Sequence, residues 1–254
     1  MDHRFIPGVF INRYWYVIFF ACSVIMIECK ASSSSAKKNE VKSLRVLMVG
    51  GGSSHDFDKW YRQTDAKTLE RDGLATVRYI SDTDSILYYL PNMDVLYLSN
   101  NQPINNQQVR QAIFNHVNSG KGLILSHAAL WYNWKDWPEY NMQLAGGGSG
   151  EHDAYGTFEV VVVNRNHPVM QNVAGTFILK DELYHYIAAP AGPGIEVLAN
   201  AVAKDSDKTY PSVFVVKHPK ARIVGIALGH DSESHNIIPY QILLRNAVKW
   251  CAKM

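Results

Sequence analysis

The stretch Gly122–Gly156 reads GLILSHAALWYNWKDWPEYNMQLAGGGSGEHDAYG. Gly122–Leu125 is a short, unbroken apolar run, the pattern of a strand buried on both faces of a parallel sheet. It ends on Ser126-His127, so a hydroxyl and an imidazole fall where such a strand gives out. Trp131, Tyr132, Trp134, Trp137, Tyr140 and Tyr155 follow, with the glycines 146–148 and a polar corner, Glu151-His152-Asp153. That many aromatics beside glycine-rich backbone and two histidines exceed what a core needs. The stretch reads as the wall and floor of a pocket.

Upstream, strand and helix patterns alternate. Leu44–Val49 is a buried strand, followed by a turn over Gly50–Asp56 and a helix over Phe57–Arg71 with Phe57, Trp60, Tyr61 and Leu69 at helical spacing. Thr76–Ile80 is a second strand, Asp82–Leu90 a short helix capped by Asp82, and Asp94–Ser99 a third strand. A helix over Asn106–Asn118 carries Val109, Ile113, Phe114 and Val117, and Gly120 stops it. This rhythm predicts right-handed crossovers and a parallel sheet with helices on both faces. Downstream the texture turns to strands and turns: Thr157–Val163, Phe177–Leu179, Glu196–Leu198, Ser212–Val216 and Arg222–Leu228. They predict mixed or antiparallel strands that extend the sheet, and Pro239 opens a last helix to Cys251. No linker interrupts 43–254, which is expected to form one domain.

The 254 residues are 47% hydrophobic and 19% charged, the balance of a globular chain. The formal charge of +2 resides in the leader: five Lys/Arg and three Asp/Glu fall in 1–41, leaving 20 of each beyond it. A neutral body without a basic run excludes nucleic acid as the expected partner and leaves room for a neutral small molecule. Arg4 and Arg13 precede the apolar Tyr14–Ile27, shorter than the roughly 20 residues of a membrane span, and serine-rich 30–42 follows. Residues 1–42 are therefore expected to be an export signal and linker, placing the protein in the periplasm or at the cell surface. Cys29 and Cys22 are candidate lipidation sites, so the membrane enters only through the signal or a lipid anchor. An uncleaved amino-terminal anchor is the alternative. With Cys251 the only other cysteine, neither a disulfide framework nor a CxxC metal motif can be drawn.

An open parallel sheet binds ligands beyond the carboxyl ends of its strands. Here those ends deliver Ser53, Ser54, His55 and Asp56; Asn100, Asn101 and Gln102; Ser126 and His127; and Gly229, His230 and Asp231. The expectation is that these share one rim. Gly50-Gly51-Gly52 lacks the third spaced glycine of a dinucleotide fingerprint and the lysine of a P-loop, so it reads as a turn and no nucleotide or flavin is expected. His55-Asp56 serves equally as a helix cap. Asp181-Glu182 can supply a carboxylate to a histidine cluster or be a charged strand edge. His116 is read as exposed on its helix, and His167 and His218 as turn residues. Trp131, Trp134 and Trp137, three apart, suit a surface on which sugar rings stack.

The motifs LMVGGGSSHDFDKWY, DVLYLSNNQP, GLILSHAALWYNWKDWPEYN, GGGSGEHDAYGTFEVVV, KDELYHY and RIVGIALGHD, in this order across 44–251, resemble the ThuA-like (trehalose-utilisation) family. The resemblance implies a fold similar to class I glutamine amidotransferases, a flavodoxin-like, doubly wound, mainly parallel α/β sheet. Those proteins place a catalytic cysteine after a central strand. Ser126-His127-Ala128 stands here instead, so amidotransferase chemistry is not expected. The family is associated with disaccharide catabolism beside sugar dehydrogenases that make 3-keto-glycosides. The expected function is processing of a glycoside or keto-sugar, as a hydrolase or isomerase. His127, His152 and His230 would form a metal centre, with zinc the candidate ion, and Glu182, Asp231 or His55 would move protons. Ser54, Asn101, Trp131, Tyr132, Trp134, Trp137 and Tyr184 would hold the ring. A carbohydrate-binding protein without catalysis, or a helper of a partner dehydrogenase, are the alternatives.

Overall fold

The computed structural model describes residues 43–131, 135–204 and 206–254, all within the unit Val41–Met254. Tyr132, Trp134, the expected export signal, Cys22 and Cys29 lie outside the described residues. Four strands form the parallel half: β1 (Leu44–Val49), β2 (Ala75–Ile80), β3 (Val95–Leu98) and β4 (Gly122–Ser126). They are joined through a π-helical segment (Asp58–Asp65) continuing as α1 (Ala66–Glu70), then α2 (Ile86–Tyr89) and α3 (Gln107–Asn118). After α4 (Ala128–Trp131) come β5 (Gly147–His152), β6 (Gly156–Val162), β7 (Thr176–Asp181), β8 (Tyr184–Ala188), β9 (Ile195–Val202), β10 (Thr209–Val216) and β11 (Ile223–Ile226). The chain closes with α5 (Ser232–His235) and α6 (Ile238–Cys251), with a proline in the first turn of α6.

The main sheet runs β2-β1-β3-β4-β11-β10-β9-β6-β7. Its first five strands are mutually parallel, in the doubly wound order 2-1-3-4-5 once β11 is taken as the fifth. From β11 onward every pairing is antiparallel, and β5 and β8 make a separate ribbon. Side-chain alternation divides the core. Val46 and Met48 face one layer with Tyr61, Leu69, Leu243 and Val248; Leu47 and Val49 face the other with Ile86, Val109, Ile113 and Val117. A strand buried on both faces can be apolar throughout, as β3, Val46–Val49 of β1 and Gly122–Leu125 of β4 are.

Three local readings change. The helix expected over Asp82–Leu90 is shorter: Ser85 is its N-cap residue, and the Asp82 carboxylate holds the preceding turn through Asp84 N and Ser85 Oγ. His116 is buried, with its Nε2–H donating to the Gly122 carbonyl at 3.1 Å. Its helix has a second neighbour, the start of β4, that periodicity alone does not show. Gly147–His152, read only as part of a pocket wall, and Tyr184–Ala188, given no strand of its own, pair as the β5–β8 ribbon.

Candidate functional site

The expected rim exists. His55 follows β1, His127 follows β4 and His230 follows β11, three neighbouring regions of the parallel half, while Glu182 arrives from the end of β7 in the antiparallel half. One ligand atom from each of His55, His127, Glu182 and His230 lies within 4.8 Å of all the others.

Each side chain is aimed by its own backbone. At the β1 turn, Gly51 and Gly52 have φ of +117° and +125°, and a Cβ on Gly52 would fall 1.8 Å from Asn101 Oδ1. Asn101 fills that space, accepting from Ser53 N at 2.9 Å and donating to the Ser53 carbonyl at 3.0 Å. The loop so braced presents His55, whose Nδ1 lies 3.3 Å from the Ser53 carbonyl. A carbonyl only accepts, so Nδ1 carries the proton and Nε2 keeps its lone pair. His127 is held more tightly. Its φ of +39° lies in the left-handed region that non-glycine residues rarely occupy, and its amide donates to Ile226 O at 2.7 Å. Its Nδ1–H donates to Ala227 O at 2.8 Å, and its ring stacks on Tyr184 at 4.5 Å. Again Nε2 is left as the free lone pair.

Glu182 gathers the imidazoles. Its Oε2 lies 3.5 Å from His127 Nε2 and 3.2 Å from His230 Nδ1, and its Oε1 lies 3.9 Å from His152 Nε2. Among the described residues, His55 Nε2, His127 Nε2 and His230 Nδ1 are all buried without a hydrogen-bond partner. Burial, followed by the neighbouring His127 and His230, pushes His55 down to about 3. The Glu182 carboxylate raises His230 above its ordinary value. Burial alone would raise the Glu182 carboxyl, but His127 and His230 hold it well below the usual carboxylate range. Three imidazole nitrogens and a carboxylate brought this close together are the donor set of a borderline divalent cation.

Other expected site residues take different places. His152 is outside the four-residue group: it is exposed, its ring 5.0 Å from Trp131 and 6.0 Å from Tyr184, and its Nδ1–H donates to Asp153 O. The group that could hold an ion thus brings His55 and Glu182 beside His127 and His230, without the expected His152. Trp137 is not on the pocket wall. It is 4% exposed and packs on Tyr140, Phe114 and the Arg110 guanidinium in the α3 layer. Asp231 caps α5 through Glu233 N at 2.9 Å and accepts from Tyr155 OH at 2.6 Å, so its carboxylate is engaged structurally. Asn101 is likewise spent on the loop. Ser54 is exposed on that loop with φ of +73°. Trp131 is half-buried at the rim, 5.3 Å from Tyr184, which is itself buried against His127.

Sequence reasoning named Asp181 beside Glu182 but missed Asp65, His235 and the bonds that lie beneath. Asp181 is fully buried and accepts from Gly229 N at 2.9 Å, Glu182 N at 2.7 Å and Ser234 Oγ. Asp65, also fully buried, accepts from Tyr97 OH, Tyr240 OH and His235 Nδ1, and His235 Nε2 reaches Gly229 O at 3.0 Å. Nothing in the polar run around Asp65 signalled its burial. Beside the cluster, a hollow of about 470 Å³ is lined by residues including Asp153, Tyr155, Thr157, Leu183 and Lys204. Tyr155 also stands 5.1 Å from the His230 ring.

A family model described as trehalose utilisation, ThuA, matches residues 45–251. A solved thua-like protein from Parabacteroides merdae is 20% identical with a TM-score of 0.73, covering 83% of this chain and 90% of that one. A second, from Bacteroides uniformis, is 22% identical at 0.67, covering 82% and 91%. The glutaminase domain of Trypanosoma brucei CTPS is 8% identical at 0.52, covering 83% and 94%, which extends the likeness of fold to the amidotransferases. No curated protein matches.

Proposed function

This chain belongs to the ThuA family, and from that premise we propose that it processes a carbohydrate, a glycoside or keto-sugar of the 3-keto-glycoside kind, at a divalent-metal centre held by His55, His127, His230 and Glu182. The observation that carries the reading is the set of three buried imidazole nitrogens, unpaired and converging on one carboxylate. A buried polar atom without a partner is costly, and three together are accounted for by a shared cation. Three nitrogens and one carboxylate oxygen suit zinc. Such an ion polarises a carbonyl or hydroxyl oxygen and lowers the pKa of a bound water.

The chain's own residues supply the rest. The backbone carbonyls of Ser53 and Ala227 fix the tautomers of His55 and His127, the usual way a protein orients imidazole ligands. His152, exposed with Nε2 toward Glu182, is the group placed to carry protons at the mouth. Trp131 and Tyr155 offer ring surfaces to sugar C–H faces, and the adjoining hollow has room for the remainder of a substrate. Export through the leader and work alongside a sugar dehydrogenase complete the proposal; fractionation and co-purification test them.

The experiment is incubation of the purified protein with 3-keto-trehalose, with and without a chelator, following products by NMR. The proposal predicts turnover that the chelator and His127→Ala both abolish. If the sugar binds but is never converted, and binding survives His127→Ala, the protein is a carbohydrate-binding module instead.

A further inference from the structure

The cluster draws its ligands from two halves of the sheet, and something must hold those halves in register. His230 stands on the loop after β11, while Glu182 follows β7 at the far edge of the antiparallel extension. The residue between them in space is Gly229. Its peptide is gripped from both sides by buried groups. Asp181 Oδ2 takes the Gly229 N–H at 2.9 Å, and Tyr61 OH and His235 Nε2–H donate to the Gly229 carbonyl at 2.7 and 3.0 Å. The same Asp181 carboxylate takes the amide of Glu182 through Oδ1 and the hydroxyl of Ser234 through Oδ2. Asp65 fixes the His235 ring through Nδ1 at 2.7 Å.

Both ring nitrogens of His235 face acceptors, so it donates from both and carries a positive charge opposite Asp65. Burying a carboxylate at Asp181 and an ion pair at Asp65–His235 is unfavourable unless every lone pair is used. Asp181 uses its lone pairs on the amides of Gly229 and Glu182, backbone that carries two of the four cluster residues, and on Ser234 Oγ. Asp65 uses its own on Tyr97, Tyr240 and the His235 ring that grips Gly229 O. Gly229 has φ of +130°, which a side chain would strain, so the peptide can sit between the two grips only as glycine.

We infer that Asp181, Tyr61 and His235 are positioning residues: they clamp the Gly229 peptide, and through it and the Glu182 amide they set His230 and Glu182 against His55 and His127. The inference rests on the metal reading above, and the test separates the two. Zinc affinity is measured by competition with a chromophoric chelator, and the visible spectrum of the cobalt-loaded protein reports the ligand geometry. The variants are Asp181→Asn, Tyr61→Phe and, as a buried histidine remote from the cluster, His116→Gln. Removing a group that orients ligands typically costs 10–100-fold in metal affinity. Asp181→Asn is expected to lose about that much, and Tyr61→Phe, which leaves His235 on the carbonyl, a smaller part of it, each with a shifted cobalt spectrum. His116→Gln is expected to lower the Tm with zinc affinity and spectrum unchanged. If Asp181→Asn does not fold, Tyr61→Phe decides. Wild-type affinity and an unchanged spectrum in the folded clamp variants overturn the inference and leave the metal centre standing. A wild-type protein that takes up neither zinc nor cobalt overturns both.

Discussion

His127 occupies a strained backbone position, with φ of +39° directly after a fully buried strand. Structures keep such strain where it aims a side chain, and the Ala227 carbonyl and Tyr184 ring complete the aim. Two tryptophans only six residues apart make a matched test. Trp131→Ala is expected to weaken sugar binding by about 0.5–1.5 kcal/mol, the worth of one aromatic contact, at little cost in stability. Trp137→Ala is expected to cost about 3–5 kcal/mol of stability and to leave sugar affinity in the folded protein unchanged. Denaturant unfolding and sugar titration of both variants check the pair, and the opposite assignment would refute the placement of the two rings. Spacing of three could not tell them apart. The difference is the neighbour each ring meets: Trp131 faces His152 and Tyr184, whereas Trp137 meets Phe114 and Arg110 from a helix far earlier in the chain.

Among the elements, α3 and the β5–β8 ribbon mark where local pattern stops being informative. His116 lies on the face of α3 that meets β4, and burial pushes it down to about 4. With the folded value below the ordinary value of roughly 6.5, the unfolded chain takes the proton more readily. Its contribution is complete above about pH 6.5 and is lost as the pH falls toward 4, on the order of 2–3 kcal/mol. Stability measured across that range is expected to fall less steeply in His116→Gln, whose amide can still donate to Gly122; parallel curves would contradict this. The central parallel strands were legible because burial on both faces makes them largely apolar. The ribbon was not, since Gly147–His152 is glycine and polar residues paired through backbone with Tyr184–Ala188, and no periodicity signals that.

Over the whole molecule, the carboxyl ends of β1, β4 and β11 deliver three histidines to one place, as an open parallel sheet requires. That part of the site followed from reading what stands after each strand. That His55 rather than His152 stands beside His127 and His230 was not legible, because the sequence shows no way to tell which imidazole points inward. Asp65 and His235 were invisible for a related reason: they bond each other across 170 residues, and Asp65 also takes the hydroxyls of Tyr97 and Tyr240, 32 and 175 residues away. An ion held by the native state alone adds stability by mass action, roughly 2.7 kcal/mol at 100 times its Kd. Zinc-loaded protein is therefore expected to melt several degrees above chelator-treated protein, with the difference absent in His127→Ala. Equal melting temperatures under saturating zinc would count against a centre shared by the two halves of the sheet.

The most direct test is anomalous diffraction at the zinc edge from crystals grown with the metal. The account predicts one peak at about 2.0–2.2 Å from His55 Nε2, His127 Nε2, His230 Nδ1 and a Glu182 oxygen. No peak among these four residues, or a peak held by other side chains, would contradict it.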